Sequence, residues 1–186
     1  MPMHGTFSSN PKTEWLTDLG AEDRNMQLLE NFSYTDPAGK VWLAAKGSVV
    51  NGASIPRPLW STVGSPYTDD YRRASIVHDV ACNTPTVPRK DADVMFFHAC
   101  RAGGCSPTQA KILYAGVRIG AWASSNLPEA SISSEKLLFR KRITVPFAEE
   151  SFLKSKLSDI SNEMDKLPDE PSIEQLDEAI ARHIKV

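Results

Sequence analysis

The segment from Tyr71 to His98 constrains the fold of this chain most strongly, because it combines helical periodicity with a cluster of ionisable residues. Two stretches with apolar residues at the three-to-four-residue spacing of a helix flank a short proline-containing connection. The first stretch carries the adjacent pair His78 and Asp79, and the second carries Asp91 and Asp93. We therefore predict a helical hairpin that brings a histidine close to carboxylates of the neighbouring helix.

Three interpretations of this cluster follow from its residue types. A histidine held by a carboxylate can act as a general base. Carboxylates together with backbone carbonyls can instead bind a hard cation. The third interpretation is a structural network in which the acids form ion pairs that only fix the packing. Its candidate cations are Arg72, Arg73, Arg89 and Arg118.

Length and charge narrow the class of protein. A chain of 186 residues suits one well-buried domain with an appendage. The formal net charge of -2 argues against a surface devoted to binding nucleic acid. No apolar run approaches the roughly 20 residues that span a bilayer, and the first residues lack the features of a signal peptide. We therefore expect synthesis and folding in a cytoplasm.

The three cysteines, Cys82, Cys100 and Cys105, do not form the pattern of a disulfide framework or of a structural zinc site. In an antiparallel hairpin that pairs His78 with Asp93, Cys82 and Cys100 would lie about 16 Å apart along the helix axis. Bridged Cα atoms lie within roughly 7 Å of each other. We predict reduced, partly buried thiols.

The predicted fold class is α+β, with a small antiparallel sheet packed beside a three-helix core and followed by a C-terminal helical extension. Two strand-like runs between Arg24 and Val50 flank the turn sequence Asp36–Lys40, which predicts a sheet of two to three strands. Helices follow at about 70–83, 88–103 and 106–124, bounded by proline and glycine signals. Gly116 and Gly120 of the third helix would allow another backbone segment to approach closely.

We predict an N-terminal arm at 1–23, a core domain at 24–126, a linker at 127–148 and a helical tail at 149–186. The tail contains apolar residues at heptad-like spacing, and a second amphipathic helix begins after Ser172. We expect these helices to dock on their own domain or, preferably, on another subunit or a different partner protein. The heptad-like residues are Leu153, Leu157, Ile160, Met164 and Leu167.

Several motifs in fixed order resemble domain-of-unknown-function family 1353. They are NGASIPR at 51–57, the AS-x-x-HD pattern at 74–79, RKDAD at 89–93 and the segment from Tyr114 to Arg118. The resemblance covers about 24–123 and implies a bacteriophage or prophage origin without implying an activity. The first motif commonly begins with Asp in that family, whereas this chain has Asn there. The supporting residues of the candidate site are Asn51, Ser54, Arg89, Tyr114 and Arg118.

The same two helices are faintly similar to the core of phospholipases of the A2 class. This similarity implies that His78 is the general base that activates water and that Asp93 orients it. It also implies that Asp79 binds calcium together with backbone carbonyls around Gly64. The cation would stabilise a developing oxyanion while the imidazole removes a proton from water. The residues that carry the similarity are Ala74, His78, Asp79, Ala92, Asp93 and Phe96.

A serine nucleophile is a further alternative, in which Ser54 works with His78 and an acid. Ser54 lacks a G-x-S-x-G elbow, and a serine before an Ile-Pro step is typical of a cap or turn. Its structural interpretation is therefore preferred.

Two hypotheses of function follow. The first is a phage-encoded hydrolase of the bacterial cell envelope that acts on a lipid ester or on peptidoglycan, with His78 and Asp93 as catalytic residues and calcium as a candidate cofactor. The second is a non-catalytic virion or tail-assembly protein whose C-terminal helices bind neighbouring subunits. Either protein would be made in the host cytoplasm, and a virion location is compatible with both. We expect no nucleic-acid partner and no membrane span, and at most peripheral contact with the envelope.

Overall fold

The computed structural model describes residues 3–17, 25–64, 70–126 and 147–185. Its strands are β1 (Thr6–Phe7), β2 (Thr13–Trp15), β3 (Met26–Leu28), β4 (Phe32–Thr35), β5 (Val41–Ala44) and β6 (Val49–Val50). Its helices are α1 (Trp60–Val63), α2 (Arg72–Asn83), α3 (Arg89–Gly103), α4 (Pro107–Asn126), α5 (Phe147–Met164) and α6 (Ile173–Ala181). A 3-10 turn at Arg57–Leu59 precedes α1. The α+β fold class with its C-terminal helical extension is confirmed.

The strands form two antiparallel sheets of three strands each, in the orders β1-β4-β5 and β2-β3-β6. The sequence predicted one such sheet. The additional strands β1 and β2 come from the predicted N-terminal arm and pair with β4 and β3. They are only two and three residues long, which is too short for an alternating pattern to mark them as strands.

Asp36 builds the turn between β4 and β5. Its Oδ1 accepts backbone N–H groups of Ala38 and Lys40, each at 2.9 Å. Its Oδ2 accepts the indole N–H of Trp42 at 2.9 Å. The turn predicted from the Asp-Pro-Ala-Gly sequence is thus held by an aspartate side chain that bonds its own following backbone.

Contacts among the residues divide the chain into two compact units. The first unit comprises Met1–Ala53 and Ser65–Ala110, and the second comprises Ser54–Gly64 and Lys111–Val186. The predicted linker at 127–148 lies almost entirely outside the described residues, as does part of the predicted arm. The predicted domain boundaries therefore stay a prediction.

In the first unit, α2 and α3 form the predicted hairpin and α2 also packs on β4, β5 and β6. The apolar stripes of both helices are buried, including Ala74 and Val77 of α2 and Phe96 of α3. Helix α3 ends where the glycines predicted its end. Gly104 adopts a φ of 112°, and a Cβ on Gly103 would lie 2.4 Å from the carbonyl oxygen of Asp70.

In the second unit, α4 packs closely on the segment that carries the end of the NGASIPR motif. A Cβ on Gly120 would lie 2.1 Å from the carbonyl oxygen of Ser54, and one on Gly116 would contact Ile55 at 3.4 Å. The close approach predicted for these glycines is therefore present. It positions Ser54 and Ile55 by backbone packing.

The apolar faces of the tail helices are buried within the second unit. Helix α5 contacts α6 and the 3-10 turn. Ser172 caps α6 in a reciprocal capping box with Gln175. Among the described residues, no helix combines the length and apolar character that crossing a membrane requires. The buried apolar side chains of the tail include Leu153, Leu157, Ile160, Met164, Leu176, Ala179, Ile180 and Ile184.

Candidate functional site

The centre of the first unit holds the pair that the hairpin was predicted to bring together. His78 of α2 and Asp93 of α3 are both fully buried. The Nε2 atom of His78 lies 2.8 Å from Oδ1 of Asp93, which is a hydrogen bond of charge-assisted length. The ring of Phe96 packs against the imidazole, with ring centroids 4.7 Å apart. A hydrogen bond and ring packing thus fix the orientation of the histidine.

Arg89 completes the pair from the start of α3. Its Nε donates to the same Oδ1 of Asp93 at 3.0 Å, across one turn of the helix. The Arg89 side chain is 30% exposed, whereas the Asp93 side chain is fully buried. Arg89 therefore connects the buried carboxylate to the surface of the unit.

Cys82 lies one helical turn after His78. The sequence predicted it only as a reduced, partly buried thiol. Its Sγ lies 3.4 Å from Nε2 and 3.8 Å from Nδ1 of His78, and the residue is half-buried. All three cysteines are thiols, as predicted. The signal for its place in the site was the i, i+4 spacing from His78, which puts both residues on one helix face.

The electrostatics of the site favour the ion-paired form of His78 and Asp93. Burial alone lowers the pKa of His78, but adjacent Cys82 and the hydrogen bond with Asp93 outweigh it and raise that pKa above the ordinary 6.5. Burial alone raises the pKa of Asp93, but His78 and Arg89 outweigh it and lower that pKa below 3.8. The proton between the two residues is therefore held on the imidazole.

Asp79, the other member of the His-Asp dipeptide, connects α2 to the first motif. It is 1% exposed, and its Oδ2 accepts the backbone N–H of Asn51 at 2.7 Å. This contact uses the main chain at position 51, so it does not require the Asp that commonly begins the motif. Asn51 is thus compatible with the local structure of this chain.

The calcium prediction, with Asp79 and backbone carbonyls around Gly64 as ligands, stays a prediction. Calcium binds six to eight oxygen ligands. The cluster among the described residues instead offers one nitrogen, one sulfur and one carboxylate, from His78, Cys82 and Asp93. Oδ2 of Asp79 accepts the backbone N–H of Asn51, and 65–69 after Gly64 lie outside the described residues. We derive no catalytic step through calcium.

Three predicted supporting residues belong to the second unit. The hydroxyl of Tyr114 donates to Asp177 at 2.7 Å, and Arg118 is 7% exposed. The hydroxyl of Ser54 is buried and has no hydrogen-bond partner among the described residues. His78 belongs to the first unit. The serine-nucleophile alternative therefore stays an untested prediction.

The two helices of the site and strands β3 to β6 fall in a segment with known relatives. Residues 26–117 match the family "Protein of unknown function (DUF1353)". This match confirms the resemblance to that family over this segment, which includes the hairpin and the NGASIPR motif. The C-terminal tail lies beyond it.

Two relatives are proteins of Sinorhizobium fredii. "Uncharacterized protein y4jT" is 37% identical over 111 residues, which are 59% of this chain and 32% of that protein. "Uncharacterized protein y4iH" is 33% identical over 102 residues, which are 55% of this chain and 43% of that protein. The matched part thus spans less than half the length of either relative. No solved structure matches the chain significantly.

Proposed function

We propose that this protein is a hydrolase in which His78 is the general base and Asp93 orients it. The supporting observation is the 2.8 Å hydrogen bond from His78 Nε2 to Asp93 Oδ1 in a site where Arg89 holds the same oxygen. A base oriented by a fixed carboxylate is the arrangement that general base catalysis requires.

In this proposal, the hydrogen bond to Asp93 leaves Nδ1 of His78 as the nitrogen that acts as the base. Nε2–H donates to the carboxylate, so in the neutral ring Nδ1 carries the lone pair that accepts a proton from water. The carboxylate then stabilises the imidazolium that forms. Because the pKa of His78 is raised, the neutral base forms as the pH rises above 6.5, and hydrolysis should accelerate in that direction.

Water and substrate would reach the His78–Asp93 pair past its partly exposed neighbours, Arg89 and Cys82. His78 and Asp93 are fully buried, whereas Arg89 is 30% exposed and Cys82 is half-buried. We propose that a rotation of the Arg89 side chain opens the site to water and substrate. The substrate class in this proposal, a lipid ester or peptidoglycan of the bacterial envelope, rests on the phage origin that the family resemblance implies.

A second candidate, a non-catalytic assembly protein, is favoured by the complete burial of His78 and Asp93, because a structural ion pair has the same geometry. Exposed apolar side chains on the sheets would then provide contacts with neighbours, among them Trp15, Val41 and Leu43, which are 58%, 60% and 55% exposed. Strand edges and faces of this kind are common sites of association. The tail would contribute through its polar face, because its apolar face is buried.

The test is hydrolysis of phospholipid vesicles and of purified peptidoglycan, each with and without calcium. The wild type should release product from one of them, and His78→Gln should lower the rate by about 10²- to 10⁴-fold. His183→Gln, a histidine of the second unit, is the matched control and should keep the wild-type rate. If neither the wild type nor His78→Gln hydrolyses either substrate, the hydrolase proposal is contradicted and the assembly-protein candidate is supported.

A further inference from the structure

We infer that His78, Cys82 and Asp93 form a binding site for one transition-metal ion of the zinc class. Each of these residues offers one ligand atom, and the three atoms all lie within 4.8 Å of one another. The inference rests on this juxtaposition and is independent of the proposed hydrolysis.

The chemistry of the donors selects the class of ion. An imidazole nitrogen, a thiolate and a carboxylate oxygen are the ligand types of zinc, whereas calcium and magnesium take oxygen ligands. Thiolate coordination favours zinc over harder ions. The cluster that does not suit calcium is therefore well suited to zinc.

The distance between the nitrogen and sulfur ligand atoms is close to that of a tetrahedral site, and all three ligand atoms lie within 4.8 Å of one another. Bonds of about 2.1 Å to nitrogen or oxygen and about 2.3 Å to sulfur separate neighbouring ligand atoms by about 3.5 Å. The Nε2 of His78 and Sγ of Cys82 are already 3.4 Å apart. Nε2 and Oδ1 of Asp93 are 2.8 Å apart because a proton joins them. Replacing that proton by a metal ion requires an opening of about half an ångström.

The helices place the ligands where a cation is favoured. His78 and Cys82 share one face of α2 at i, i+4 spacing, and Cys82 lies in its last turn. The carboxyl end of a helix carries partial negative charge, which stabilises a nearby cation. Half-buried Cys82 is the ligand closest to solvent, so it also provides the entry path.

Arg89 has two opposing effects on a bound ion: it orients the ligand Asp93, and its charge repels the cation. Its Nε holds Asp93 Oδ1 at 3.0 Å, as outer hydrogen bonds commonly orient metal ligands. Its positive charge also repels a bound cation. Three protein ligands leave a fourth position for water or another small ligand. An ion bound at Nε2 leaves the ring proton on Nδ1, so a metal-loaded protein cannot use Nδ1 of His78 as the proposed base.

The test uses the full chain, reduced and stripped of metal with a chelator, and titrated with Co²⁺ as a spectroscopic probe. The wild type should bind one Co²⁺ with a thiolate-to-cobalt charge-transfer absorption, and one equivalent of Zn²⁺ should abolish that absorption. Zn²⁺ should also raise the thermal midpoint of unfolding, because an ion that binds the folded state stabilises it.

Variants separate this site from the other thiols. Cys82→Ser should lose the charge-transfer absorption, and His78→Gln should weaken Zn²⁺ binding at least tenfold. Cys105→Ala, a thiol outside the cluster, should bind as the wild type does. Arg89→Gln should bind Zn²⁺ more tightly, because it removes the opposing charge.

Absence of the absorption in folded wild type would overturn the inference. Its persistence in Cys82→Ser, or an equal thermal shift by Zn²⁺ in wild type and Cys82→Ser, would overturn it as well. None of these measurements depends on hydrolysis. A protein that binds metal and hydrolyses neither substrate would sustain this inference while the proposed function fails.

Discussion

The two units of the molecule each bury charged residues, and the partners of those residues differ in kind. In the second unit, Lys111 is 2% exposed, and its ammonium donates to the carbonyl oxygens of Met164, Leu167 and Pro168 at 2.8, 3.2 and 3.5 Å. Three donors meet three carbonyls at the end of α5. This arrangement caps a helix with a cation and joins segments that are far apart in sequence.

In the first unit, Asp79 accepts a backbone N–H, but the charges of the His78–Asp93 pair meet other side chains. His78 contacts a carboxylate and a thiol, and Asp93 contacts an imidazole and a guanidinium. These groups can exchange protons or bind a transition-metal ion, whereas backbone carbonyls do not exchange protons. The comparison teaches that burial of a charge does not identify a functional site, and that the chemistry of its partners is the better guide.

The largest expected effect is the loss of the carboxylate in the first unit. Asp93→Ala should lower the free energy of unfolding by about 3–5 kcal/mol, because it leaves a buried imidazole without its partner. Urea unfolding followed by circular dichroism measures this. Asp91→Ala, an exposed acid of the same helix, should cost about 0.5 kcal/mol. Equal losses in the two variants would show that the buried pair contributes little.

Removal of the buried Lys111 ammonium of the second unit should lower the free energy of unfolding by a somewhat smaller amount. Lys111→Met keeps the aliphatic length and removes the three hydrogen bonds, which should cost about 2–3 kcal/mol. Lys154→Met, on the partly exposed Glu150 ion pair of α5, should change stability by less than about 1 kcal/mol. A Lys111→Met protein as stable as the wild type would mean that the cap is not a stabilising feature.

Removal of a single neutral hydrogen-bond donor in the second unit should lower stability by a still smaller amount. Tyr114→Phe removes the 2.7 Å hydrogen bond to Asp177 and should cost about 1–2 kcal/mol. A double-mutant cycle with Asp177→Ala isolates the interaction between the two side chains. If the losses in the free energy of unfolding of the two single variants simply add, the two residues are not coupled. The predicted role of Tyr114 as a supporting site residue would then stay a prediction.

The smallest expected effect is a pH dependence that arises from the His78–Asp93 pair of the first unit. Asp93 has a lowered pKa, so its contribution is present above 3.8 and is lost as the pH falls. His78 has a raised pKa, so its contribution is complete below 6.5 and is lost as the pH rises through the raised value. In chelated protein, the difference in urea midpoint between wild type and His78→Gln should therefore be largest between these values. A difference that grows above 6.5 would contradict the direction given for His78.

The features that depend on local sequence pattern could be predicted from the sequence. Periodicity and the proline and glycine signals predicted the α2–α3 hairpin, and with it the approach of His78 to an acid of α3. The i, i+4 glycines of α4 predicted a close backbone approach without identifying Ser54 as its partner. Strands β1 and β2 were missed because their stability comes from pairing with distant strands and not from their own composition.

Two other features depend on the folded arrangement of side chains. Cys82 has a spacing from His78 that was visible in the sequence, but its contact with the imidazole depends on the rotamers of both residues. Lys111 reaches carbonyls more than 50 residues away in sequence. A lone lysine in a helix is normally exposed, so nothing in its local sequence indicated burial.

The most direct test of the contrast between the units is a comparison of hydrolysis rates for two variants. The wild type, Asp93→Asn and Lys111→Met are assayed on phospholipid vesicles and purified peptidoglycan, at a temperature at which circular dichroism shows all three folded. Asp93→Asn should lose at least about 10²-fold in rate, because His78 loses its orienting carboxylate. Lys111→Met should hydrolyse at the wild-type rate despite its lower stability. Equal rates for Asp93→Asn and the wild type, or no hydrolysis by the wild type, would contradict the assignment of a reactive centre to the first unit.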